Sequence, residues 1–188
     1  SKTKSKKPEA GEEAAAEEKL TWIAGRTEEE VYATLGLPWI PPELRENRRE
    51  YDDAAAGTLP KLIELADLQG DLHMHTTASD GTNSILEMVA AAQARGLTYI
   101  AITDHSQRVS MANGLNGDRL LAQWAEIDRI NKTLTGFTVL KGVEVDILEA
   151  GGLDIADDVL QHADWIVGSV HYGQNQPREQ ITKRIVDA

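Results

Sequence analysis

The chain has 188 residues, a formal net charge of −12 from 31 acidic against 19 basic side chains, and no cysteine. Without thiols, disulfides and thiolate metal sites are excluded, so any metal must be held by His, Asp or Glu. The acidic excess argues against broad, sequence-independent affinity for a phosphate backbone, and no apolar run approaches the roughly 20 residues that span a bilayer.

Residues 1–25 read as a disordered, low-complexity tail: a basic cluster (Lys2, Lys4, Lys6, Lys7), then Pro8 and an Ala/Glu run. With no apolar leader in that stretch, a cytoplasmic location is expected. Residues 26–66 read as a short helical and Pro-rich linker. Thr27 before Glu28, Glu29 and Glu30 has the form of an N-cap with an acidic first turn, Val31 and Leu35 supply an apolar stripe, and Gly36 stops the helix. The segment 37–42 must be extended, because a residue before proline is driven out of the helical region. A second short helix is predicted over 57–65.

Beyond residue 66 the pattern alternates. Strands are predicted over 67–75, 98–103, 138–145 and 164–170, with helices over 83–95, 118–132, 155–162 and 180–186. Ile85, Met88, Val89 and Ala92 share one face of the first of these helices, and Leu120, Leu121, Trp124, Ile127 and Ile130 form a buried stripe on the second. Trp124 and Trp165 both read as core. Consecutive βα units give parallel strands joined by right-handed crossovers, so the fold class is α/β.

Ligand-type residues fall at the C-terminal ends of these strands. His73 and His75 stand at i and i+2, which places both side chains on one face of an extended chain. Asp80 follows five residues after His75. His105 ends the second strand, Glu144 lies near the end of the third and His171 follows the fourth. In a closed α/β barrel that rim is where an active site is built. A carboxylate in the apolar strand at Glu144 would be costly to bury unpaired, and a cation is its simplest compensation. Asp71 and Asp104 are candidates for orienting the imidazoles from behind. Asp146 is expected to turn away from Glu144's neighbours or to cap a turn. His162 reads as an ordinary helix-surface histidine. Arg108 and Lys141 are available to neutralise phosphate.

These residues resemble the motifs of the PHP (polymerase and histidinol phosphatase) superfamily. Its first motif looks like Asp71-Leu-His73-Met-His75-Thr76 with Ser79-Asp80-Gly81 after it. The others resemble Thr103-Asp104-His105, Gly142-Val-Glu144-Val-Asp146 and Ser169-Val-His171. The upstream stretch from Thr27 to Glu46, with its Leu37-Pro-Trp-Ile-Pro-Pro42, is similar to the junction of bacterial family X DNA polymerases, where a polymerase core precedes a C-terminal PHP domain. The resemblance implies a distorted (β/α)7 TIM-like barrel, with residues 67–188 as its N-terminal part. It implies up to three divalent metal ions, Mn2+ or Zn2+, in a site that hydrolyses phosphoesters. His73, His75 and Glu144 would hold one metal, Glu144 and His171 a second, and Asp80 and His105 a third. The attacking group would be water, with no side-chain nucleophile.

In such polymerases the implied activity is a 3′→5′ exonuclease or end-processing reaction on DNA 3′ ends. A histidinol-phosphatase-like small-molecule phosphatase is the alternative. A noncatalytic metal-binding structural module is a third reading, because the family's late ligands have no counterpart before Ala188. The chain is therefore expected to be a fragment that lacks the polymerase core and the remainder of the barrel.

Overall fold

Thr27 starts the first regular element. Its hydroxyl accepts the backbone N–H of Glu30 at 3.3 Å and caps helix α1 (Glu28–Thr34). The computed structural model describes residues 23–188 and divides the chain into two units, one ending at Leu62 and one over Ile63–Ala188. The tail expected over 1–25 lies outside the described residues up to position 22.

In the first unit, α1 is followed by a 3-10 turn (Pro42–Leu44) and by helix α2 (Glu50–Ala56). Val31 and Leu35 are exposed and α1 buries none of its residues, so the predicted stripe is not a core face among the described residues. Ile40 and Ala54 are buried instead. Glu28 collects the Arg45 guanidinium at 2.6 and 3.0 Å and the Trp39 indole N–H at 3.3 Å. The helix predicted over 57–65 is absent. Gly57, at φ +68°, closes α2 in the left-handed conformation instead of opening a new helix, and Pro60 keeps the residue before it extended.

The second unit is a four-stranded parallel sheet in the order β1 (Gly70–Asp71), β2 (Tyr99–Ile102), β3 (Thr138–Asp146) and β4 (Trp165–Ser169). Helix α3 (Ile85–Ala94) joins β1 to β2, α4 (Gly117–Asn131) joins β2 to β3, α5 (Asp157–Leu160) joins β3 to β4, and α6 (Arg178–Val186) follows β4. This is part of an α/β barrel, with the right βα alternation and sheet order. Gly70, Tyr99 and Thr138 lie level across the first three strands. The β4 ladder begins four residues further along β3, at Gly142↔Trp165. Stagger of this kind accompanies the strand tilt of barrels.

Alternation along the strands sorts residues between two layers. Ile100 and Ile102 of β2 and Val139, Val143 and Val145 of β3 join Val89, Leu120, Trp124 and Ile127 of α3 and α4 in one core. Trp124 also donates its indole N–H to the Gly142 carbonyl at 3.0 Å. Helix α3 starts two residues later than predicted, because Ser84 and Glu87 form a capping box ahead of Ile85. Two predicted core residues are not buried: Leu121 is 40% and Trp165 39% exposed. Leu121 sits off the buried stripe of α4. Trp165 opens β4 and stands on the same strand face as Ser169; Ile166, on the other face, is exposed to the same degree at 41%. Among the described residues no helix is long and apolar enough to cross a membrane.

Candidate metal centre

The ladder of β1 is two residues long, much shorter than the strand predicted over 67–75. Beyond it the chain stays extended by other means. Met74 receives a hydrogen bond from the backbone N–H of Thr103 (2.8 Å) and gives its own N–H to the Thr103 hydroxyl (3.0 Å). Met74 packs against the core, while His73 and His75 turn to the other side with ring centroids 5.3 Å apart. The i, i+2 geometry therefore survives without a ladder. The loop after His75 folds back on itself: Ser79 and Gly81 both donate to the Thr76 carbonyl, at 3.1 and 2.9 Å. A Cβ on Gly81 would sit 2.5 Å from the His75 carbonyl oxygen, so only glycine lets the loop return Asp80 this close.

Asp104 holds that loop. It is fully buried and accepts the Thr76 N–H (2.7 Å), the Thr76 hydroxyl (2.6 Å), the Ser79 hydroxyl and the Gln123 amide of α4 (2.6 Å). Its parity on the β2 extension is that of Ile100 and Ile102, so it faces the helices. It braces the Asp80 loop and makes no hydrogen bond to an imidazole. Asp71 accepts the His73 backbone N–H at 3.2 Å.

The imidazoles converge on Glu144, which is 5% exposed. Its Oε2 lies 3.2 Å from His73 Nε2, 3.3 Å from His75 Nε2 and 3.2 Å from His105 Nδ1. Its Oε1 lies 3.4 Å from His171 Nε2 and accepts the Ser169 hydroxyl at 2.5 Å. Asp80 stands 3.3 Å from His75 Nδ1 and 3.6 Å from His105 Nε2. Three overlapping groups arise: His73–His75–Glu144, His75–Asp80–His105 and His105–Glu144–His171. The structure thus brings together all six ligand candidates. It places His105 beside His171 and His75 beside Asp80, sharing that the sequence motifs alone do not specify.

Burial pushes the Glu144 carboxyl upward, but hydrogen bonds from His75, Ser169 and His73 outweigh it and hold the group far below the usual carboxylate range. The His75 hydrogen bond to Glu144 raises that imidazole above its ordinary value, against the effect of burial. Burial lowers His105, with Glu144 pulling in the other direction.

This donor set fits divalent cations. Glu144 and Asp80 have no Lys or Arg partner among the described residues. The Nδ1 atoms of His75, His105 and His171 are buried without a hydrogen-bond partner, although carboxylate oxygens stand 3.2–3.5 Å away. For His75 and His105 those oxygens belong to Asp80 and Glu144 and are close enough for shared coordination. Ligand atoms about 2.0–2.2 Å from a shared ion stand roughly 3.0–3.6 Å from one another. The imidazole–carboxylate spacings around Glu144 and Asp80, 3.2–3.6 Å, fall in that range.

Two further candidates sit elsewhere. Lys141 shares the strand parity of Val139, Val143 and Val145 and reaches Asp128 of α4 at 3.6 Å, so the structure does not bring it to the site. Arg108 is near the rim, with Nε 2.8 Å from Asp146 and Nη2 2.6 Å from both oxygens of Glu149. Asp146 does not turn away from Glu144's neighbours. It is fully buried on the same face of β3, beside His171. Period-two spacing from Glu144 was the signal for it. Ser169, two residues before His171, carries the same signal.

The PHP domain family model matches residues 71–188. The chain belongs to the PHP domain family. A DNA polymerase beta thumb model matches residues 9–46. The chain is 49% identical over 162 residues, 86% of its length, to the DNA polymerase/3′-5′ exonuclease PolX of Bacillus subtilis (strain 168), and spans 28% of that protein. It is 32% identical over 121 residues, 62% of its length, to a probable phosphatase of Acetivibrio thermocellus and spans 48% of it. A probable phosphatase of Photobacterium profundum is 35% identical over 103 residues, covering 54% of this chain and 39% of that protein. The chain therefore spans less than half the length of each of these relatives.

Proposed function

We propose that this PHP domain hydrolyses phosphoesters with water at a divalent-cation centre, and that its substrate in the parent protein is a DNA 3′ end. One observation carries the reading: the imidazoles of His73, His75, His105 and His171 meet around Glu144, with Asp80 against two of them, in three overlapping groups of metal-ligand type. Divalent cations, Mn2+ or Zn2+, would be held by His73, His75, Glu144, Asp80, His105 and His171, and supply an acidified water and charge neutralisation for the phosphoryl oxygens.

The protein's own contribution is positional. Glu144 is shared between two of the three donor groups and would contribute to holding a cation in each. The Ser169 hydroxyl fixes Oε1, and Asp104 fixes the loop that presents Asp80. Burial of Glu144 and His105 removes water that would compete for the donor atoms. The acidic surface favours recognition of a chain end at the rim over long backbone contacts.

The 49% identity to a polymerase/3′-5′ exonuclease and the thumb match upstream support DNA as substrate. The probable phosphatases among the relatives support a second reading, hydrolysis of small phosphomonoesters. A 3′-labelled primer, histidinol phosphate and an aryl phosphate assayed side by side with Mn2+ separate the two. Nucleotide release from the primer is expected. Turnover confined to the monoesters would assign the second reading.

A further inference from the structure

β3 presents two carboxylates on its inner face, Glu144 and Asp146, and the proposed chemistry uses only the first. Asp146 is fully buried. A buried carboxylate is costly unless compensated. Here Arg108 Nε stands 2.8 Å from Oδ2. Oδ1 accepts the His171 backbone N–H at 3.0 Å and lies 3.5 Å from Nδ1 of the same residue. The other ring nitrogen of His171, Nε2, is 3.4 Å from Glu144 Oε1. Asp146 thus meets the centre through His171.

We infer that Asp146 is a positioning residue for His171: it holds the imidazole as the Nδ1–H tautomer and leaves Nε2 free to bind the cation shared with Glu144 and His105. The inference rests on the metal-centre reading above. Nδ1 of His171 is buried with no hydrogen-bond partner, and Asp146 Oδ1 carries one backbone N–H while a carboxylate oxygen accepts about two. A histidine that binds metal through one nitrogen ordinarily donates from the other to a carboxylate or carbonyl, which fixes its tautomer and ring plane.

Arg108 keeps Asp146 in place from behind. Its guanidinium is pinned by Glu149 and lies 5.3 Å from the centre of the Tyr172 ring, next in sequence to His171. Arg108 is therefore tied to the support of His171 through Nε and Nη2. The competing explanation is that Asp146 only clamps the backbone at His171. Asparagine separates the two, because its carbonyl still accepts the backbone N–H while the negative charge that strengthens the Nδ1–H bond and raises the basicity of Nε2 is lost.

The test titrates the 188-residue chain and its Asp146→Asn variant with Mn2+, counting free ion by electron paramagnetic resonance. The imidazole tautomers of the Zn2+-loaded wild type are read by long-range 1H–15N NMR. One Mn2+ equivalent is expected to bind about 10- to 100-fold more weakly in the variant, with the metal-free variant still unfolding in one cooperative transition. Wild-type His171 is expected as the Nδ1–H, Nε2-bound form. Equal Mn2+ affinity in the folded variant, or Nε2–H on His171 in the loaded wild type, overturns the inference and leaves the metal centre standing. A wild type that binds neither Mn2+ nor Zn2+ overturns the metal-centre reading itself. If the variant does not fold, the wild-type tautomer decides alone.

Discussion

The two faces of β3 differ in what holds them. Val139, Val143 and Val145 point into the helix layer and are completely buried among apolar side chains. Gly142, Glu144 and Asp146 point the other way, where the contacts are charged, directional and centred on histidine. One strand therefore carries stability on one side and chemistry on the other. Changes to the first face should cost folding free energy and spare the donor set. Changes to the second should cost metal and activity and spare the fold.

The largest effect is expected from Trp124→Ala on α4. It leaves a cavity against β3 and removes the bond to the Gly142 carbonyl, for a loss of about 3–5 kcal/mol in denaturant unfolding. Below the midpoint its metal affinity should match the wild type; a variant that keeps its stability but loses metal would erase the distinction between the faces. Next comes Glu144→Gln. It removes the charge on which four imidazoles converge, so metal affinity should fall by more than the ~100-fold typical of outer partners. Helical circular dichroism should stay unchanged.

Dependence on pH sharpens the contrast. The raised His75 contributes stability below about pH 6.5, and this is lost as pH rises through its folded value. The lowered His105 has the opposite sign: folding is penalised in acid and relieved as pH rises past its folded and unfolded values. The two act in opposite directions in the metal-free chain. Cation binding requires the imidazoles to give up protons. The rise in melting temperature caused by Zn2+ should therefore grow from pH 6 to pH 8, and a constant rise would contradict imidazole coordination. The smallest effect is expected from Ser84→Ala, which removes the α3 cap and should cost about 1 kcal/mol with no change in metal binding.

Much of this arrangement was legible because periodicity is local. His73 and His75 needed only the extended chain, and the strand-end placement of His105, Glu144 and His171 needed only the βα alternation. What the sequence left hidden depends on which way a strand faces. Lys141 is three residues before Glu144 and so lies on the opposite face; Asp146 is two after it and lies on the same one. Gly57 reads equally well as the start or the stop of a helix, and its left-handed backbone decides for the stop. The role of Asp104 could not be read locally, because its partners Thr76, Ser79 and Gln123 lie 19 to 28 positions away.

The alternation on β3 also determines which kinds of genetic change the domain tolerates. A point substitution alters one side chain on one layer. Losing or gaining a single residue between Lys141 and Glu144 would rotate everything beyond it by half a turn, sending Glu144 and Asp146 into the apolar layer and Val143 or Val145 toward the histidines. Length variation among related chains should therefore gather in the loops between Asn131 and Thr138 and between Asp146 and Asp157, and spare the nine residues of the strand.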